Sequence, residues 1–248
     1  MKRHHLLPLL AFFICLLNSC GNAPKSSVES PQKVVIAYVT SWSEIMPKPA
    51  LVTHINDAFG HVNDTFNGVR INNEERLKQI VALKKQKPEL KVLLSIGGWG
   101  SERFSEMAAD EQNRLSFAKD CQRIVQEFGL DGIDIDWEYP TSSAAGISSS
   151  PDDTDNFTLL MRDIRQAIGK NKLLTMASVA SAQYVNFRAI LNDIDFVNIM
   201  SYDMANAPKH HSGLYRASII GWLTCDEAVK AHIDSGVPAE RLVLGMPF

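Results

Sequence analysis

The sequence predicts an α/β fold, a TIM (β/α)8-type barrel with seven strands present and the eighth missing. Three observations carry this reading. From residue 33 onward, short β-branched or apolar runs alternate with amphipathic stretches, the signature of a parallel sheet built from βαβ units. Unusual polar residues gather at the C-terminal ends of several successive runs, where a barrel assembles its site; an open doubly wound sheet concentrates its ligand at one switch point. No phosphate-binding glycine fingerprint follows the first run. Alternation alone leaves the doubly wound sheet open, and the spread of polar strand ends favours the barrel.

The predicted strands are Val34–Thr40, Ile55–Val62, Lys91–Ile96, Gly132–Trp137, Leu173–Val179, Phe196–Tyr202 and Leu242–Gly245. Between them, apolar residues recur three and four apart, as helices require. Leu77, Ile80, Val81 and Leu83 form one such stripe, Phe117, Cys121, Ile124 and Phe128 a second, and Phe157, Leu160, Met161, Ile164 and Ile168 a third. Gly129 is placed to end the second helix. The seventh strand stops where the chain does, and a barrel cut there leaves an open edge between its first and last strands. A C-terminally truncated barrel is therefore expected, with a natural seven-stranded open barrel as the alternative.

The chain has 248 residues, 45% hydrophobic and 21% charged, an ordinary composition for a folded domain. Its net charge of −3 gives no basic footprint for nucleic acid. The N-terminus has a short basic start, Met1 to His5, followed by an apolar run from Leu6 to Leu17. That run is about half the roughly 20 residues a spanning helix needs, so residues 1–19 read as a signal peptide. Leu17-Asn18-Ser19-Cys20 resembles the bacterial lipobox, which makes Cys20 the candidate lipidation site and residues 20–32 the lipidated cysteine and a polar tether; ordinary secretion is the alternative. A lipoprotein of the cell envelope is expected, anchored to a membrane on the periplasmic or cell-surface side. Residues 33–248 form the barrel. Its two cysteines, Cys121 and Cys225, are too few and too widely spaced for a disulfide framework and read as buried thiols.

The chemistry gathers in the fourth strand. Side chains alternate across a strand, so Asp134, Asp136 and Glu138 share one face while Ile133, Ile135 and Trp137 point to the helices. Buried carboxylates cost several kcal/mol unless paired or protonated, and no Arg or Lys stands at the inward positions of the adjacent strands. At roughly 6–7 Å spacing the three acids cannot all ionise cheaply, so some must hold protons near neutral pH. A raised carboxylic acid at the open end is what a general acid needs, and Glu138, nearest the mouth, is the natural donor. A calcium or magnesium site is the competing reading, weakened by the apolar wall of Tyr, Trp and Met around the strand. His210-His211 read as a solvated loop pair.

The run Asp131-Gly-Ile-Asp-Ile-Asp-Trp-Glu138 matches the DxxDxDxE signature of glycoside hydrolase family 18. Ser95-Ile-Gly-Gly98 matches the SxGG motif of that family, and Met200-Ser-Tyr-Asp203 looks like its MxYD motif. Tyr38, Ala58-Phe59 and Leu244-Gly-Met-Pro-Phe248 are lesser echoes. The resemblance runs from about residue 33 to the end and implies a chitinase-like enzyme. It implies Glu138 as the acid and then the base, with the substrate's own N-acetyl group as nucleophile; this family departs from the two-carboxylate scheme. Asp136 would orient the N-acetyl nitrogen, Asp134 would share a proton with Asp136, and Tyr202 would hydrogen-bond the N-acetyl oxygen. Asp203, Met200, Tyr38, Phe59, Trp99 and Tyr139 are implied at the substrate, with Ser95, Gly97, Gly98 and Asp131 in support. Neither metal nor cofactor is implied. The expected partner is a glycan containing N-acetylglucosamine, and the expected state a monomer that does not bind nucleic acid. Two readings of the same fold stay open: an endo-β-N-acetylglucosaminidase on N-glycans, and a lectin-like binding protein, against which the glutamate argues.

Overall fold

The computed structural model describes residues 33–247. The expected signal peptide, the lipidated Cys20 and the tether lie outside the described residues. Seven parallel strands form a curled sheet, and all seven expected runs are strands. They are β1 (Ile36–Thr40), β2 (His54–Val62), β4 (Lys91–Gly97), β5 (Gly132–Asp136), β6 (Leu173–Val179), β7 (Phe196–Met200) and β8 (Leu242–Leu244). A short β3 (Val69–Ile71), which the pattern did not predict, folds back antiparallel onto the end of β2. The parallel strands pair strictly in chain order, and among the described residues no strand joins β8 back to β1. The described fold is thus a half-closed barrel.

Helices cover the outer face. They are α1 (Glu74–Ala82), α2 (Phe104–Ala109), α3 (Glu111–Glu127), α4 (Asp153–Ile168), α5 (Phe187–Ile190) and α6 (Cys225–Asp234). Their starts are written in the sequence. Asn73 accepts from the Arg76 amide, Asp110 from the Asn113 amide, and Thr224 forms a capping box with Glu227. Gly129, at φ +66°, lies just past the end of α3.

The core lies between sheet and helices. Ile55, Leu94, Ile96, Ile133, Ile135, Leu174 and Val197 from the strands meet Leu77, Ile80, Phe117, Ile124, Phe157, Leu160 and Ile164 from the helices, all essentially inaccessible. Each such side chain stabilises the fold by roughly 1.5–3 kcal/mol. Cys121 and Cys225 are buried free thiols. No helix among the described residues is long and apolar enough to cross a membrane.

Because the outer face takes the apolar residues, the inner face is left to a polar set in register. Ser95 stands beside Asp134, which stands beside Thr175. Tyr38 stands beside Asn56, and Ala177 beside Asn198. Asp131, at the opposite end of β5, pairs with Lys84 and Lys91 and accepts from the Val92 amide, which pins the strand's start.

Candidate active site

Exposure rises stepwise along the inner face of β5, from 0% at Asp134 to 5% at Asp136 and 9% at Glu138, so the acids descend from mouth to floor. At the floor, Asp134 accepts four hydrogen bonds. Thr175 Oγ1 (2.6 Å) and Asn198 Nδ2 (3.1 Å) reach Oδ1, while Ser95 Oγ (2.7 Å) and Tyr38 OH (2.9 Å) reach Oδ2. Asn198 Nδ2 also donates to the Tyr38 hydroxyl at 2.9 Å. Burial pushes the Asp134 carboxyl upward and the four donors pull it back. A carboxylate that only accepts suits this donor set, so we assign the charge to Asp134.

Asp136 is the opposite case. Its Oδ1 is buried without a hydrogen-bond partner. Burial, then the charges of Glu138 and Asp134, hold its carboxyl well above the usual range, so it keeps a proton. No hydrogen bond joins it to Asp134, whose oxygens are taken up by Thr175, Asn198, Ser95 and Tyr38. Ser95, expected to make room and lend support, also donates directly to Asp134.

Glu138 lies just past the end of β5. Burial raises its carboxyl above the ordinary value, the Asp203 charge adds to this, and the Tyr139 hydroxyl partly offsets it. Tyr202, just past β7, has its hydroxyl pushed up to about 12 by burial and by the charges of Asp136 and Glu138, so it stays a donor at neutral pH. Asp203 follows in the left-handed region (φ +54°) and is exposed. Met200, partly buried, closes β7.

Two glycines allow the strands to come this close. A Cβ on Gly97 would fall 2.0 Å from the Asp136 carbonyl oxygen, and one on Gly98 would strike the Phe59 ring at 2.8 Å. Past the strand ends runs a file of aromatic rings. Trp99 meets Tyr139 edge-on at 6.3 Å, and Tyr139 stacks on Tyr184 at 5.2 Å. These three come from the loops after β4, β5 and β6. Tyr184 was missed by sequence reasoning; an aromatic residue five positions past a strand end was the signal that could have found it.

Other residues missed are Thr175 and Asn198, the donors to Asp134. Asp57 was missed as well. It is buried on the outer face of β2, and burial pushes its carboxyl up to about 6, partly offset by Arg76. Among the described residues no group of three His, Cys, Asp or Glu is placed to hold a metal. Asp134 in particular offers a cation no free face, since hydroxyl and amide hydrogens cover both its oxygens.

The arrangement can donate a proton from Glu138 to a leaving oxygen, present a protonated Asp136 and a Tyr202 hydroxyl below it, and stack sugars on the aromatic file. The family model for glycosyl hydrolases family 18 matches residues 34–248. The chain is 32% identical to chitotriosidase-1 of Mus musculus over 246 residues, covering 86% of this chain and 52% of that protein. It is 37% identical to chitinase A1 of Niallia circulans over 196 residues, covering 69% of this chain and 28% of that one. The chain thus spans about half or less of these relatives' length. Among solved structures, the chitinase domain of the spore coat protein CotE from Clostridium difficile superposes with a TM-score of 0.84 at 36% identity, covering 91% of this chain and 68% of that one. A family 18 N-acetylglucosaminidase from Paenibacillus barengoltzii superposes with a TM-score of 0.79 at 36% identity, covering 86% and 68%.

Proposed function

The chain belongs to glycosyl hydrolase family 18, and on that premise we propose that it hydrolyses β-1,4-linked N-acetylglucosamine glycans, chitin or chito-oligosaccharides, with retention. The observation that carries this reading is the division of labour among the three acids. Glu138 alone reaches the mouth, Asp134 is spent on its four donors, and Asp136 is held protonated below. Neither Asp134 nor Asp136 is a free carboxylate, which supports the scheme the family resemblance implies, with the substrate's own acetamido group as nucleophile.

In the proposed reaction Glu138 gives its proton to the glycosidic oxygen as the bond to C1 breaks. The carbonyl oxygen of the substrate's own acetamido group bonds to C1 from the other side, giving an oxazolinium ion. Asp136 steadies the acetamido nitrogen, and Tyr202 donates to the acetamido oxygen without losing its proton. Glu138, now a carboxylate, takes a proton from water as the water oxygen attacks C1 and the ring opens. The two displacements together retain configuration. The chitinases and the N-acetylglucosaminidase among its relatives support the substrate class.

Replacement of the acid tests the assignment. Glu138→Gln should cut hydrolysis of a chromogenic chitobioside by at least about 10²-fold, while chitotriose binding measured by calorimetry survives. Equal hydrolysis by the two proteins would sink it, and binding without hydrolysis by the wild type would instead mark a glycan-binding protein.

The proposal extends to location. The N-terminal pattern supports a lipid on Cys20 holding the barrel at the cell envelope. Cys20→Ala should move the protein from the membrane fraction to the soluble one, and its retention in membranes would count against the anchor.

A further inference from the structure

The residue after Tyr202 has an unusual setting. Asp203 sits in the left-handed region, exposed, at the lip of the site. Such a conformation costs of order 1 kcal/mol or more for a residue with a side chain and persists only when its surroundings hold it. What holds it is a second segment that shadows the motif residue by residue. Ser212 Oγ donates to the Ser201 carbonyl at 2.7 Å, and the Met204 amide donates to the His211 carbonyl at 2.9 Å. Between these two tethers the Asp203 amide donates to His211 Nδ1 at 3.1 Å, and the same nitrogen lies 3.5 Å from Asp203 Oδ1.

From this geometry we infer that His211 is a positioning residue for Asp203, holding it where its charge bears on Glu138. The inference rests on the reading of Glu138 as the acid. The His211 side chain is 46% exposed, so it is not a packing residue, and its one side-chain hydrogen bond among the described residues is the one to Asp203. An imidazole nitrogen accepts an N–H only while it is unprotonated, so the observed contact fixes the neutral ring with its hydrogen on Nε2. The same nitrogen lies beside the Asp203 carboxylate, so one ring touches both the backbone and the side chain of Asp203. The charged group facing the ring is the Asp203 carboxylate; Lys209 and His210 precede it on its own loop, and across the mouth the Asp203 charge in turn raises Glu138.

The full chain, wild type beside His211→Asn and His211→Ala, tests this. An Asn side-chain oxygen can accept from the Asp203 amide, whereas Ala removes the acceptor. Exchange of the Asp203 amide, followed by NMR, needs no substrate. We expect protection in the wild type and in His211→Asn that is missing in His211→Ala. On the chromogenic chitobioside, His211→Ala should lower kcat about tenfold with little change in KM, and His211→Asn should restore it. Amide exchange identical in all three proteins, or His211→Asn behaving like His211→Ala, would overturn the inference. A wild type without hydrolysis would overturn the functional reading instead, leaving the exchange data to decide on His211.

Discussion

Asp134 and Asp136 lie two residues apart on one strand, yet their partners differ completely. Asp134 accepts four hydrogen bonds, and Asp136 leaves Oδ1 buried and unpartnered beside two other acids. This has a consequence for stability. The folded-state pKa of Asp136 lies above its unfolded value of about 3.9. Between the two, the folded protein keeps a proton that the unfolded chain has lost, so stability is full below the unfolded pKa and falls as pH rises through the window. Asp136→Asn closes that window, because an amide does not ionise. The variant should gain of order 1 kcal/mol at pH 7, lose activity, and show a flatter dependence of unfolding free energy on pH from about pH 4 upward. Urea titrations at several pH values check this; a less stable variant with an unchanged slope would contradict it.

The three acids were legible in the sequence because they obey a period of two within one strand. Their environment was not. The donors to Asp134 stand 41, 64 and 96 residues away in sequence, at Thr175, Asn198 and Tyr38, and only the strand order brings them together. Motif spacing cannot show that Asp134 is saturated and Asp136 orphaned. Asp57 escaped for a related reason, since its place on the helix-facing side of β2 depends on register rather than on composition.

At the scale of elements, what could be read were the runs long enough to carry a period. The seven parallel strands and the helices α1, α3 and α4 fall in this class. β3 is three residues long and exists only through its pairing with β2, so no local pattern announces it. The segment after β5 shows how tertiary contacts set a boundary. An insert runs from Thr141 to Asp152, and α4 begins at Asp153. The Asp153 carboxylate is fully buried and accepts from Ser105 Oγ, the Ser150 amide and the Thr141 amide. One acid thereby ties α2, the insert and the chain just beyond Glu138 to the start of a helix, where a negative charge is favoured. The loop carrying the acid is held from below by a residue that no catalytic motif contains.

At the scale of the molecule, each parallel strand from β2 to β7 has a strand on both sides, while β1 and β8 are paired on one side only among the described residues. Their outer edges present backbone N–H and C=O groups in rows, which is the template for pairing with another chain. Apolar side chains accompany the edges: Val34 and Val35 lead into β1, and Leu244 and Met246 stand at β8, all exposed. A net charge of −3 is too small to hold copies apart. A polypeptide of these 248 residues, made on its own, should therefore self-associate reversibly through these edges, growing from roughly 1 μM upward. Sedimentation velocity should show the average sedimentation coefficient rising with concentration. Leu244→Lys should shift the balance back to monomer, because a lysine on an edge strand has to be desolvated before a second strand can dock. Since β8 lies beside β7 and away from Glu138, that substitution should leave hydrolysis per monomer unchanged. A single monomer boundary at every concentration of that polypeptide would refute these two edges as sites of association.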